Sequence, residues 1–256
     1  MHGVSNQRGP EIDGHRAALH ITTPAGDVDG VVLVLHGGRS RSTSPTSPTQ
    51  LAVVRMLPFG PAVERAAGEA GLQVAVARLR YRVRGWNGRR RDPVVDATWA
   101  LEVLREQFGD APIVLMGHSM GGRTALALAD APGVIGVVGL APWVENGDEV
   151  GRVAGRRIDV LHGTADRMTD PRASRAWTEA AERRGATVDY TAVEGGKHAM
   201  LARAGWWHRT AAEAAVDQLR VALRTTASTG QDVPGSGSQG PGSNEFRSTT
   251  GSRRQS

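Results

Sequence analysis

The sequence predicts an α/β protein: a mostly parallel, doubly wound sheet with helices on both faces. Three observations carry this expectation. Strand-like and helix-like segments alternate along residues 17–224, the pattern of parallel strands joined by crossover helices. Several strand candidates, above all 31–35 (Val-Val-Leu-Val-Leu), are unbroken aliphatic runs, as in strands covered on both faces. And His36-Gly37-Gly38, Ser119, Asp166 and His198 all fall just after such runs, at the carboxyl ends of strands, where open α/β sheets bind ligands.

Taken in order, residues 1–16 are polar and read as a flexible N-terminus. Residues 17–22 form a first strand, and Pro24 to Asp27 a turn. The strand 31–35 ends in His36-Gly37-Gly38-Arg39. Residues 40–50 are Ser, Thr, Pro, Arg and Gln only, the composition of a mobile loop. Pro61 suits an early helix position, and 62–70 a helix stopped by Gly71. Residues 72–79 are the next strand. An arginine-rich loop, 81–91, follows, with Trp86-Asn87-Gly88 at its turn. Asp92-Pro93 opens a helix to about Phe108, with Asp92 as N-cap and Gly109 past its end.

Residues 113–116 are a strand that runs into Gly117-His118-Ser119-Met120-Gly121-Gly122, and an Ala/Leu-rich helix follows. Residues 134–140 and 158–161 are further buried strands. The helix 171–184 is stopped by Gly185, the strand 187–193 alternates like a more exposed one, and 206–224 is the last helix. The segment 225–256 is Gly, Ser, Thr, Pro and Gln with a few charges and almost nothing to bury, so it reads as a disordered low-complexity tail. The domain assignment is therefore 17–224, with flexible ends at 1–16 and 225–256.

Composition excludes several kinds of chemistry. The 256 residues suit one domain and hold no cysteine, which removes disulfides, thiolate catalysis and cysteine zinc sites. Net charge is +5, almost wholly from arginine spread over most of the chain, so no nucleic-acid partner is expected. No apolar run is long enough for a membrane span, and no signal peptide is seen. A cytoplasmic protein is expected. No Walker, dinucleotide-binding or His-Glu-x-x-His motif occurs, and nothing calls for a metal or an organic cofactor.

The stretch around Ser119 reads as strand, sharp turn, helix. A serine there is lifted out of the sheet with its hydroxyl exposed, and glycines stand where a Cβ would clash. The helix that begins there turns free N–H groups and its positive end toward whatever reacts at Ser119. A serine hydroxyl needs a base to take its proton as it attacks, which favours a histidine neutral near pH 7. That histidine needs a carboxylate to hold its tautomer and stabilise its cation, and the developing oxyanion needs backbone donors.

The chain order Ser119, Asp166, His198 resembles that of the α/β-hydrolase superfamily, and specifically its small esterases and dienelactone-hydrolase-like branch. Three segments carry the likeness: His-Gly-Gly at 36–38, Gly-His-Ser-Met-Gly-Gly at 117–122, and His-Gly-Thr-Ala-Asp at 162–166 with Lys-His at 197–198. It covers roughly residues 17–224. It implies an α/β-hydrolase fold, Ser119 as nucleophile, His198 as base and then acid, and Asp166 as its orienter. It also implies an oxyanion hole from the backbone N–H groups of Gly38 and Met120.

Asp170 is the nearest alternative acid, but it precedes Pro171 like an N-cap; Glu145 or Asp148 is a third. His36 and His162 read as structural groups bonding neighbouring loops, and His208 as a helix residue. Arg39, Trp86, His118 and Trp143 are candidate substrate contacts. Arg78, Arg80, Arg82 and Arg84 alternate and, with Arg89, Arg90 and Arg91, are read as a basic rim, either a solvated surface or a grip on an anionic substrate.

Only about fifty residues separate Ser119 from Asp166. That leaves no room for a separate lid domain, so any lid is the 39–57 loop. The expected activity is hydrolysis of a carboxylic ester or thioester of a small soluble molecule. Amide or short-peptide cleavage by the same triad, or a non-catalytic binding role on the same fold, are the alternatives. A dienelactone hydrolase proper would carry a cysteine nucleophile, which this chain lacks.

Overall fold

The computed structural model describes residues 3–229. Eight strands build one sheet: β1 (Gly3–Arg8), β2 (Ala18–Thr23), β3 (Gly30–Leu35), β4 (Val74–Arg80), β5 (Ile113–His118), β6 (Val134–Leu140), β7 (Arg157–Gly163) and β8 (Thr187–Val193). The helices are α1 (Leu51–Val54), α2 (Phe59–Glu69), α3 (Asp92–Phe108), α4 (Met120–Ala127), α5 (Pro171–Glu182) and α6 (Ala204–Thr229).

The strand order is β1-β2-β4-β3-β5-β6-β7-β8. The pairs from β4 through β8 are parallel, and β1 and β2 join antiparallel at one edge.

The unbroken aliphatic run of β3 is explained by two-sided burial. Val31, Leu33 and Leu35 face a core built with Leu101 and Leu104 of α3, Leu126 of α4 and Trp177 of α5. Val32 and Val34 face a second core with Phe59 and Val63 of α2 and Trp207, Val216 and Leu219 of α6. Period-2 alternation thus sends every side chain from Val31 to Leu35 into one core or the other, each contributing about 1.5–3 kcal/mol. The parallel strands β3 to β8 carry their C-terminal ends to one edge, and the loops that leave that edge build the site.

The N-terminus differs from the flexible segment expected over 1–16. Residues 3–8 form β1 and pair in register with β2, from Gly3 opposite Thr23 to Arg8 opposite Ala18. Their side chains are mostly exposed, so backbone pairing to an open sheet edge holds the strand, and no apolar pattern marks it. At the other end α6 continues past the expected boundary at 224 to Thr229. Residues 230–256 of the expected tail lie outside the described residues. No helix among the described residues is long and apolar enough to cross a membrane.

Two loops also differ from expectation. The 40–50 segment, expected to be mobile, is laced to 82–87: Arg39 N–H donates to Arg84 O, Trp86 N–H to Arg39 O, Ser42 N–H to Asn87 Oδ1 and Arg84 N–H to Ser44 O. Arg82, expected on a basic rim, is buried and paired with Asp92 and Asp96 of α3. Asp92 is the first residue of α3 rather than its cap: Arg91, in a left-handed conformation, holds the cap position, and the Asp92 carboxylate takes Asn87 and Arg90.

Candidate active site

The turn after β5 is a sharp elbow. Ser119 sits at φ 56° and ψ −116°, a left-handed conformation that costs a non-glycine residue on the order of 1–3 kcal/mol. The two glycines of the motif make it sterically feasible. A Cβ on Gly117 would run into the Gly121 carbonyl, and one on Gly121 into the carbonyl of Leu35 on β3. Strand, elbow and helix therefore approach at backbone contact, and Ser119 is left partly exposed with α4 starting at the next residue.

Three side chains meet there. Ser119 Oγ lies 3.0 Å from His198 Nε2, and His198 Nδ1 lies 2.8 Å from Asp166 Oδ2. A carboxylate only accepts, so His198 carries its proton on Nδ1 and turns the Nε2 lone pair to the Ser119 hydroxyl. Asp166 follows β7 and His198 follows β8, so three strand ends supply the set.

Asp166 is held by its own turn. Oδ1 accepts the N–H of Met168 at 2.8 Å and of Thr169 at 3.1 Å, and Oδ2 accepts the Thr169 hydroxyl at 2.8 Å. Burial opposes its charge. The Thr169 N–H, the His198 ring, the Met168 N–H and the Thr169 hydroxyl outweigh it and hold the carboxyl below its ordinary range.

His36 orders the loop after β3. Its Nδ1–H donates to Gly37 O at 2.6 Å, and its Nε2 accepts the Tyr81 N–H at 3.2 Å. Burial pushes its pKa down to about 4, against the bond to Gly37, so it is neutral near pH 7. The Gly37 carbonyl and the Gly38 N–H belong to one trans peptide and point opposite ways. Fixing that carbonyl on His36 fixes the direction of the Gly38 N–H. Gly38 packs on the Met120 thioether and the Arg84 carbonyl, with no room for a side chain. The Met120 N–H opens α4, where the first N–H groups have no intrahelical partner and the dipole end is positive.

His118, expected to touch substrate, is 1% exposed. Its Nε2–H donates to the His198 carbonyl at 2.9 Å, and its ring lies 4.8 Å from that of His198. Burial, reinforced by the nearby His198, lowers its pKa to about 3. It braces the His198 loop from below, and the substrate-contact expectation is corrected accordingly.

Trp86 and Trp143, expected as pocket walls, lie edge to face at 6.3 Å. Between them sits Arg123, its guanidinium 4.3 Å from each ring centroid. Arg123 is buried and pairs with Glu145 at 2.9 Å and Asp148 at 2.6 Å. Those two carboxylates, third choices for the triad acid, are thereby committed elsewhere. Asp170 caps α5 by accepting the Arg172 N–H at 2.9 Å. Arg39 is exposed, and His208 packs its ring on Phe59 at 4.7 Å.

The sequence reading missed Arg123 and Thr169. A lone charge inside an Ala/Leu-rich helix was the signal for the first. For the second it was the Asp-x-x-Thr spacing of a carboxylate that caps its own turn. Among the described residues no group of three or more His, Cys, Asp or Glu is placed to hold a metal ion.

With this geometry in hand, comparisons place the fold. A family model described as serine aminopeptidase, S33, matches residues 80–158, the span from the end of β4 through the Ser119 elbow into β7. An alpha-beta serine hydrolase homologue from Coxiella burnetii is 16% identical, with a TM-score of 0.60 over 82% of this chain and 95% of that one. Est1E from Butyrivibrio proteoclasticus is 13% identical, with a TM-score of 0.58 over 84% and 99%. The apo form of Thermogutta terrifontis esterase 2 is 20% identical, with a TM-score of 0.57 over 91% and 97%. Compared by sequence with curated proteins, the chain finds no match.

Proposed function

We propose that this chain, which has the α/β-hydrolase fold, is a serine hydrolase cleaving a carboxylic ester or thioester of a small substrate through an acyl-serine intermediate. The observation that carries the reading is the hydrogen-bond chain Ser119 Oγ, His198 Nε2, His198 Nδ1, Asp166 Oδ2, with separations of 3.0 and 2.8 Å.

In this reading Ser119 Oγ attacks the substrate carbonyl carbon while His198 Nε2 takes its proton. The carbonyl oxygen becomes an oxyanion that receives the N–H groups of Gly38 and Met120. Asp166 stabilises the imidazolium. His198 then gives its proton to the leaving alkoxide or thiolate, the tetrahedral centre collapses, and Ser119 carries the acyl group. Water attacks the acyl-serine with His198 as base, a second oxyanion forms in the same place, and the acid departs with Ser119 restored. Arg39 and the partly exposed Trp143 are the proposed substrate contacts.

A second reading, amide or short-peptide hydrolysis by the same residues, is favoured by the serine aminopeptidase description of the matching family model. The structural neighbours Est1E and Thermogutta terrifontis esterase 2 favour esters by name. The test is turnover of p-nitrophenyl acetate, butyrate and octanoate, and of an aminoacyl p-nitroanilide, by wild type and Ser119→Ala. Ester turnover that falls on the order of 10⁴-fold or more in Ser119→Ala supports the first reading. Anilide turnover exceeding ester turnover selects the second. No Ser119-dependent turnover of either refutes both and leaves a binding protein.

A further inference from the structure

The Asp166 carboxylate faces a second imidazole that the mechanism above does not use. His162, the sixth residue of β7, has a side chain wholly shielded from solvent. Its Nε2 lies 3.3 Å from Asp166 Oδ2, the same oxygen that receives His198, and 3.2 Å from Thr169 Oγ1. Its Nδ1 lies 2.8 Å from Ser174 Oγ on α5.

The surroundings decide where its proton sits. A bare Nε2 would set its lone pair against a carboxylate oxygen. A proton there gives Thr169 Oγ1 a donor and faces Asp166 Oδ2 with positive charge. The Thr169 hydroxyl proton is then free to go to Asp166 Oδ2 at 2.8 Å. Nδ1 is left as an acceptor, and the Ser174 hydroxyl donates to it. Ser174 Oγ also lies 3.0 Å from the Pro171 carbonyl, but that carbonyl is served by the Tyr190 hydroxyl at 2.8 Å, which leaves the Ser174 proton for the shorter contact to Nδ1. Every proton in the cluster finds one acceptor.

We propose that His162 is a positioning residue of the reaction centre: its neutral Nε2–H, with the Thr169 hydroxyl, holds the Asp166 carboxylate in the orientation in which Oδ2 receives His198. The proposal rests on the serine-hydrolase reading for its catalytic consequence, though the network itself does not. Burial keeps His162 neutral against the pull of Asp166. Neutrality matters, because a second cation there would compete with the His198 imidazolium for the same carboxylate. A neutral donor orients Oδ2 and leaves its charge to His198. β7 supplies His162 and the loop beyond it supplies Asp166, so one short segment builds both the acid and its brace.

The test compares His162→Leu with His162→Gln, whose side-chain amide can donate from near the Nε2 position. Two signals are read. One is the downfield proton resonance of the His198 Nδ1–H bound to Asp166, which needs no turnover. The other is the rate of Ser119 labelling by a fluorophosphonate, with kcat and KM on p-nitrophenyl butyrate beside it. His162→Leu is expected to move or broaden the resonance and to lower labelling and kcat about tenfold or more, with KM within about twofold. His162→Gln is expected to recover most of both.

A folded His162→Leu with the wild-type resonance and rate overturns the proposal. So does a His162→Gln as impaired as His162→Leu, which would make the ring mere packing. If His162→Leu does not fold, Ser174→Ala is read instead, since it removes the hydroxyl that bonds His162 Nδ1 and holds the ring with its Nε2–H toward Asp166 and Thr169; wild-type values there also overturn the proposal. If wild type is not labelled, the hydrolase reading falls, and an unchanged resonance in His162→Leu still decides against His162 separately.

Discussion

Gly38→Ala tests the proposed oxyanion loop most sharply, because the structure says where the added methyl would go. An ideal Cβ at Gly38 stands 2.5 Å from the Arg84 carbonyl oxygen and 2.6 Å from Met120 Sδ, with Met120 Cε nearer still. The end of the Met120 side chain can swing away. The Arg84 carbonyl cannot move alone, because it accepts the Arg39 N–H at 2.8 Å and its loop is laced to residues 40–46. Relieving that contact to a normal separation shifts the Gly38 peptide by on the order of 0.5 Å, the tolerance within which a catalytic donor works. Loss of one oxyanion donor is worth about 10²–10³ in kcat, or roughly 2.7–4 kcal/mol. Overpacking costs a further 1–3 kcal/mol or so in stability. The assay is kcat and KM on p-nitrophenyl butyrate beside a urea melt at pH 7. The fall should be in kcat and not KM. Gly38→Ala combined with Met120→Ala should not recover, since Arg84 still blocks the methyl. Activity within about threefold of wild type would show that this N–H contributes nothing to the transition state.

Gly68→Ala is the control. Gly68 lies exposed on α2 with nothing within 4 Å of the added methyl, so the substitution should raise the unfolding free energy from a urea melt by about 0.5–1 kcal/mol and leave kcat alone. A loss of stability would refute this. Asp96→Ala should destabilise by about 3–5 kcal/mol, because Arg82, 3% exposed, would keep its charge with Asp92 alone. A urea shift under about 1 kcal/mol would contradict that account. Acid should weaken the fold through His36, whose folded pKa is lowered from 6.5 to about 4. The unfolded chain binds a proton that the folded one refuses, so this contribution is present above pH 6.5 and lost as pH falls toward 4, about 3 kcal/mol in all. His36→Gln should flatten the slope of stability against pH over that window, and an unchanged slope would refute the assignment.

The order of strands and helices was legible because each core strand meets two cores and cannot hide its aliphatic run. The positions of Ser119, Asp166 and His198 were legible for a related reason. Parallel strands all end at one edge, so residues far apart in sequence converge if each follows a strand. β1 left no such mark, since Gly-Val-Ser-Asn-Gln-Arg has nothing to bury and is a strand only because β2 offers it a free edge. The 40–50 segment was misread for the same cause. Its polar composition describes what its side chains avoid, while its order comes from backbone bonds to 82–87.

The arginines show where sequence reasoning meets its physical limit. Charge type is written at each position, but burial depends on whether a partner arrives from elsewhere. Arg82 finds Asp96 fourteen residues on, one helical turn past Asp92, and is buried. Arg123 finds Glu145 twenty-two residues on, across β6. Its stack between Trp86 and Trp143 changes what those two rings can do. Each has given a face to the guanidinium, so Trp86, 6% exposed, is a buttress, and Trp143 alone keeps surface for a substrate. Trp143 N–H also donates to Ser119 O at 3.0 Å, as does Arg123 N–H. The elbow carbonyl is therefore held by two of the three residues that build the stack, and Trp143 and Ser119 share one support. Removing the Arg123 guanidinium unseats Trp143, whose N–H holds the Ser119 carbonyl, so Arg123→Ala should move KM and kcat together, whereas a change at His162 should move kcat alone.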